Sequence, residues 1–376
     1  MRILVVNAGS SSLKLRVLGE GDHVLGSTDL PAVAMGAEDG PGAATRDEVR
    51  AAIEALGSVD AVGHRVVHGG VDFTAPVRVD DGIIGRLEAL AELAPLHQPR
   101  SIAALRVVRS ILPDVPHVAC FDTSFHAGLS PAASAYALPR TWRERWPLKR
   151  YGFHGLSHAY IARRAAELLG RSPKGLRIVS CHLGAGASLA AILDGRSVDT
   201  TMGFTPLEGL VMATRSGDVD PGLVLWLQQH GGLKVGEIAD GLEHDAGLKG
   251  LAGTDDMREI LARVAKGDEA ARLAVDVYVH RLRGRVGAMV AAIGGLDALV
   301  FTAGVGENAD SIRATTVEGL EFLGLALDRK RNESGKGDRE IGRAQAAARV
   351  LVILAREDLE MAANVRTVLG GAAPHG

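Results

Sequence analysis

Cysteine is the rarest residue in this chain: 376 residues contain two, Cys120 and Cys181, each inside an apolar run (HVACFDT and IVSCHLG). Two such thiols supply neither a disulfide framework nor a cysteine zinc site, and they suit a reducing cytoplasm. A long basic tract is also missing. Lys and Arg number 42 against 45 Asp and Glu, a formal net charge of −3. That balance argues against binding nucleic acid through its phosphates and predicts small ligands or proteins as partners. The opening MRILVVNAGSSS carries too short an apolar stretch for a signal peptide. Nor is there an unbroken run of membrane length. The best stretch, 286–306, is interrupted by Gly294, Gly295 and Asp297, and a charge at mid-span costs about 2.5–3.5 kcal/mol. It reads as a buried helix, a turn and a buried strand, and no membrane association is expected. The strings GxxxxGKS/T and GxGxxG do not occur, which disfavours P-loop and dinucleotide folds. Heptad runs and low-complexity segments are absent too.

What the chain has in excess is glycine, 47 residues against a usual share of about 7%. Its length suits two domains. Apolar runs at 2–6 and 13–18 flank a small polar turn at 7–12. The same order of strand, glycine-rich loop and strand returns at 176–200, which suggests an internal duplication. Helical periodicity marks 86–93, 100–112, 156–169, 257–265, 269–293, 311–322 and 357–369. Strands and helices interleave, so the chain reads as α/β with sheets covered by helices. The segments 36–44 and 332–342 are polar, glycine-rich loops, and 131–150, broken by Pro139, Pro147 and a basic cluster, marks a domain boundary.

Three glycine loops end apolar strands, where α/β sheets place their ligands: NAGSSSLK (7–14), HLGAGAS (182–188) and AGVGEN (303–308). Their backbone N–H groups, with Lys14, suit a phosphate. Together they suggest a nucleotide held between two related sheets. Cations stand near by. Arg65 lies in the apolar run GHRVVHGG, either as a buried structural ion pair or as a clamp for a carboxylate or phosphate. Arg215 lies in TRSGDVDPG, and His97, His154 and His182 sit beside glycine, proline or aromatic residues. Asp122 closes a strand, where a carboxylate caps a helix, holds magnesium through water or acts as a base. Glu357 opens the last helix, an acidic position favoured by the helix dipole.

These strings, with APLHQP (94–99), FDTSFH (121–126), YGFHGLSH (151–158) and MGFTPLEG (202–209), resemble in order the acetate kinase family. The resemblance implies the superfamily of acetate and sugar kinases, heat-shock ATPases and actin. Its fold is two duplicated ribonuclease-H-like, actin-like ATPase domains with mixed sheets flanked by helices and the nucleotide in the interdomain cleft. The implied boundaries are 1–130 plus 358–376 for the first domain and 131–357 for the second. The implied reaction is reversible transfer of the ATP γ-phosphoryl group to acetate, giving acetyl phosphate and ADP, with Mg²⁺, or Mn²⁺ in its place, and the implied assembly is a homodimer. By the resemblance, Asn7 and Glu357 serve the metal, Lys14 an ATP phosphate, Arg65 the substrate carboxylate and Asp122 catalysis. His154 and Arg215 serve the transferring phosphoryl group. The nucleotide positions are His182, Leu183, Gly184, Ala185, Gly186, Asp256, Met257, Arg258, Gly304, Val305, Gly306, Glu307 and Asn308. Val67, Leu96, Phe153 and Pro206 match a small apolar pocket for the acetate methyl group.

The chain departs from the family pattern at Ala185, where asparagine is usual, at Met257, where an aromatic is usual, and at Leu354-Ala355-Arg356, where proline-threonine-asparagine is usual. It is also shorter around 20–60. One methylene in an apolar pocket shifts discrimination by only about 1–3 kcal/mol, so propionate or butyrate kinase is the nearest alternative. A pyrophosphate-dependent acetate kinase and a non-catalytic nucleotide-binding regulator are the others.

Overall fold

The computed structural model describes residues 1–9, 12–33, 43–94 and 98–370. Leu96 of the expected methyl pocket, and His97 beside it, lie outside the described residues. Contact density divides the chain into two units, one of Met1–Ala127, Gly155–Tyr160 and Arg356–Gly376, the other of Gly128–His154 and Ile161–Ala355.

In the first unit, β1 (Ile3–Ala8), β2 (Ser12–Leu18), β3 (Val24–Pro31), β4 (Ala61–Val66), β5 (Val77–Arg78) and β6 (His117–Phe121) form one sheet in the order β3-β2-β1-β4-β6-β5. The sequence of β2 alternates, with Leu13, Leu15 and Val17 buried and Lys14 exposed. The central strands β1, β4 and β6 run parallel to one another. They are apolar almost throughout because helices cover both faces. On one face Val49 and Ile53 of the helix Arg46–Leu56 and Ala104 and Val108 of the helix Gln98–Ile111 pack on Leu4, Val6, Leu13 and Leu15. On the other, Met361, Ala362 and Val365 of the helix Glu357–Gly370 pack on Ile3, Val5, Val118 and Cys120. Gly63 in β4 permits that approach: a Cβ there would lie 2.8 Å from Val365 Cγ2. The late helix is thereby held close to β1 and β4, with Glu357 as its first residue.

The second unit repeats the plan. Its strands are β7 (Arg177–Leu183), β8 (Ala187–Leu193), β9 (Arg196–Thr200), β10 (Ala298–Thr302), β11 (Arg339–Glu340) and β12 (Arg349–Val352), in the order β9-β8-β7-β10-β12-β11. Read from corresponding edges, each sheet runs antiparallel, antiparallel, parallel, parallel, antiparallel. The duplication suggested by one strand-loop-strand repeat thus extends over whole sheets. The helix Glu269–Ala292, capped by Asp268, lies against β7, β8 and β9.

Several elements differ from the sequence expectation. AGVGEN is not a loop but a short helix, Ala303–Asn308. Ala303 takes a left-handed φ of 64° to turn out of β10, and the Glu307 carboxylate accepts its N–H at 2.9 Å. The helix expected over 86–93 runs Asp81–Ala89, because Asp80 caps it by accepting from Ile83 N at 2.7 Å. The helix Arg46–Leu56 was not anticipated, although Thr45 and Glu48 form a reciprocal capping box at its start. The segment expected as a loop over 332–342 contains β11 and the buried Asn332. No helix among the described residues is long and apolar enough to cross a membrane.

Candidate active site

Strand β1 delivers Asn7 near its end, where Asn7 is in register with Lys14 of β2. Strand β4 delivers Arg65, and Asp122 follows directly on β6. Because β1, β4 and β6 are parallel neighbours, these residues gather at one end of the sheet. Asp122 is almost wholly buried. It accepts from Arg65 Nε at 3.0 and 3.1 Å and from Arg65 Nη2 at 2.6 Å. Arg65 Nη1 donates to Asn7 Oδ1 at 3.2 Å, and Asn7 Nδ2 donates to Glu357 Oε2 at 3.3 Å. Burial tends to lower the Arg65 pKa, but the charges of Asp122 and Glu357 overcome it, so the guanidinium is held firmly protonated. The main chain shapes the same corner. Gly155 N donates to Asp122 O at 2.7 Å, and a side chain at Gly155 would collide with that oxygen. Val67, just beyond β4, is buried in this unit, whereas Phe153 and Pro206 belong to the other.

In the second unit the turn between β7 and β8 carries Gly184, Ala185 and Gly186, and His182 and Leu183 end β7. The ring of His182 stacks on that of His154 at 4.2 Å between centroids. His154 has a left-handed φ of 56°, a conformation rarely taken by a residue with a side chain. Its Nδ1 lies 2.9 Å from Ser188 Oγ. Gly186 sits against both expected phosphoryl ligands: a Cβ there would be 3.2 Å from His154 Nε2 and 3.4 Å from Arg215 Nη1. Arg215 Nη1 donates to Pro206 O at 3.0 Å. This unit thus brings His154, His182, Gly186, Arg215 and Pro206 together. Ser188 was not singled out from sequence; the available signal was a lone hydroxyl, fully buried, in the apolar strand ASLAAIL.

A cavity of about 640 Å³ within the second unit is lined by Gly184, Ala185, Asp256, Met257, Arg258, Gly304, Val305 and Asn308, all expected from sequence, and by Ala213, Leu248, Asp255, Leu261, Ala309 and Asp310, which were not. That size suits a nucleoside. Asp256 caps the helix Met257–Val264 and binds Arg258 Nη2 at 2.7 Å. The side-chain bond to Arg258 leads in lowering its pKa to about 2. Gly306 and Glu307 do not line the cavity. Glu307 braces it, accepting from both Ala303 N and Ala355 N, at 2.9 and 2.8 Å.

No group of three or more His, Cys, Asp or Glu side chains among the described residues is arranged to hold a metal ion by itself. The oxygens of Asn7, Asp122 and Glu357 nevertheless fit Mg²⁺, a hard cation usually held by one or two carboxylates together with substrate phosphates and water. They do not suit a soft metal.

The sequence pattern of the acetokinase family matches residues 43–363. The acetate kinase of Streptomyces avermitilis is 42% identical over 397 aligned residues, covering 99% of this chain and 98% of that one. The crystal structure of the Porphyromonas gingivalis acetate kinase superposes with a TM-score of 0.88 at 36% identity, covering 98% of this chain and 99% of its own. That of a propionate kinase from Francisella tularensis gives 0.90 at 34% identity, with the same coverage.

Proposed function

From the premise that the chain belongs to the acetokinase family and is a phosphotransferase, we propose that it reversibly transfers the γ-phosphoryl group of ATP to acetate, giving acetyl phosphate and ADP. The observation that carries the reading is the gathering of Arg215, His154 and His182 on the glycine turn beside a cavity sized for a nucleoside. Acetate is already an anion at neutral pH, so the chemical obstacle is the approach of two negatively charged reactants. In a loose phosphoryl-transfer transition state charge spreads over the equatorial oxygens, and catalysis rests on alignment and electrostatic stabilisation.

Arg65 holds the acetate carboxylate, its guanidinium kept charged and oriented by Asp122. Arg215 and His154 donate to the equatorial oxygens, and Ser188 sets the ring orientation of His154. Lys14 meets the nucleotide phosphates, while Gly184, Ala185, Gly304 and Val305 receive the nucleoside. Asn7 and Glu357 would hold magnesium, which when bound would supply positive charge to the leaving phosphates. Manganese is accepted by the same oxygen donors. Asp122 acts by orienting Arg65, and would help to place a bound metal, rather than as an obligatory base. By their match to the family pattern, Val67, Phe153 and Pro206 are assigned to the methyl group.

The two free, buried thiols accord with a cytoplasmic location. The helices Pro221–Gln229 and Val235–His244 and their approaches expose Leu223, Leu225, Trp226, Leu233 and Val235, an apolar surface that supports pairing of two copies. Propionate is the second reading, favoured by the Francisella relative named a propionate kinase. Hydroxamate trapping of the acyl phosphate, with acetate, propionate and butyrate offered against ATP and pyrophosphate, tests the assignment. The expected result is the highest kcat/KM with acetate and ATP; no acyl phosphate from any pair would refute it.

A further inference from the structure

The segment MGFTPLEG (202–209) has little regular structure of its own, yet it carries Pro206, whose carbonyl holds Arg215. A three-residue polar knot fixes its shape. The side chain of Glu208 bends back to Gly203, where one carboxylate oxygen accepts from the Tyr136 hydroxyl and the other from Arg150 Nη2 at 2.5 Å. The same Tyr136 oxygen accepts from Phe204 N at 2.9 Å. Arg150 Nη1 spans the carbonyls of Thr200, Thr201 and Met202 at 3.2, 3.1 and 3.0 Å. Both limbs of the segment, Gly203–Phe204 and Glu208, are therefore tied to one point, and Thr205, Pro206 and Leu207 form the arch between. A side chain at Gly203 would overlap Glu208 and Tyr136, so the knot has no room for anything but glycine. Burial first, and then the hydrogen bond to Glu208, raise the Tyr136 pKa, which keeps the phenol a donor across the working range.

We propose that Tyr136, Arg150 and Glu208 are positioning residues for the acid-binding pocket: by fixing the arch they set where Pro206 closes on the acyl chain and where Arg215 points. The inference rests on the acyl-kinase reading, since it assigns Pro206 and Arg215 to that reaction. None of the three touches substrate. Their effect is transmitted through Pro206, so it appears as a change in discrimination between acids of different length, and in turnover, but not in nucleotide affinity. Loosening that wall eases the fit of an added methylene, whose full worth in an apolar pocket is about 10–200-fold in discrimination.

The test uses Tyr136→Phe, which removes one hydroxyl from a site that otherwise keeps its shape, and Glu208→Gln, which keeps the shape and removes the charge. For each, kcat and KM are measured with acetate, propionate and butyrate, KM for ATP is measured separately, and the thermal midpoint is recorded. The expected result is a 3- to 10-fold fall in the acetate-to-propionate ratio of kcat/KM for Tyr136→Phe, on the order of the effect of partial pocket loosening, with KM for ATP unchanged. Glu208→Gln should show a larger fall together with lower kcat. An unaltered acid ratio in a variant that is folded, whatever its midpoint, overturns the proposal and leaves the knot a stability element. Failure of the unmodified enzyme to form any acyl phosphate is a different result, because it removes the acyl-kinase reading itself and the positioning role with it. If Glu208→Gln does not fold, Tyr136→Phe alone decides.

Discussion

Arg65 and Asp122 illustrate a residue whose two readings from sequence, buried ion pair and anion clamp, are both compatible with one geometry. The guanidinium is paired along its Nε–Nη2 edge and bound to Asn7 through Nη1. Removing one member of such a pair strands the other, at a cost of about 3–5 kcal/mol. Arg65→Ala should therefore lose both stability, by roughly that amount, and turnover. Asp122→Asn keeps the shape, so it should stay folded while turnover falls at least tenfold and the magnesium requirement shifts; near-normal turnover with unchanged magnesium dependence would remove the assigned role. A second residue-scale prediction concerns His64 and His117, stacked in the first unit with His64 Nε2 2.8 Å from His117 Nδ1. His117 Nε2 faces Leu112 O at 3.0 Å, so it is the donor there and its Nδ1 accepts from His64, leaving His64 Nδ1 without a partner among the described residues. Burial, and then the neighbouring imidazole, depress the His64 pKa well below its usual value, and burial also lowers that of His117. Groups with depressed folded pKa values contribute fully above the unfolded value of about 6.5 and lose that contribution as pH falls. The thermal midpoint should drop between pH 7 and 5, and His64→Leu should flatten that slope; an equal slope in the variant counts against the pair as its source.

At the scale of elements, periodicity located what packing against a sheet requires and missed what local caps decide. The helices expected over 100–112, 156–169 and 269–293 are observed as Gln98–Ile111, Gly155–Leu169 and Glu269–Ala292, because each presents a long apolar face. AGVGEN misled because glycine usually interrupts helices; here Glu307 and Asn308 secure the turn through Ala303 N and Gly304 O. Ser188 was overlooked because a hydroxyl in an apolar strand reveals its partner only when His154 arrives from 34 residues away. The element with the clearest test is the seam between β4 and the helix Glu357–Gly370. Gly63→Ala places a methyl 2.8 Å from Val365 Cγ2, and overpacking of that kind costs about 1–3 kcal/mol. The loss should appear in denaturant melts, and Val365→Ala in the same chain should recover most of it. No recovery would mean that the seam is not the source of the strain.

At the scale of the whole chain, the sequence foretold a duplicated α/β protein from one repeated strand-loop-strand pattern, and both sheets follow one strand order and one sequence of senses. Nothing local in the sequence joins residues 7, 65, 122 and 357; family resemblance alone singled them out together, and their hydrogen bonds to one another were not legible. The first unit is discontinuous, and one face of its sheet is covered by Met361, Ala362 and Val365, all fully buried. A chain stopped after Ala355 would expose that face. It should be recovered mostly as aggregate, with reduced circular dichroism in the soluble fraction; a soluble, cooperatively melting truncation would show that the late helix is dispensable.

The hydrogen bond between Asn7 and Glu357 has a biosynthetic consequence. Translation proceeds from the amino terminus, and folding generally follows it. Here the earliest strand must wait, its apolar flank uncovered, until the ribosome has made some 350 further residues. During that interval the nascent polypeptide is exposed to misassociation through that flank, and the hydrogen-bonded corner of Asn7, Arg65 and Asp122 lacks its last member.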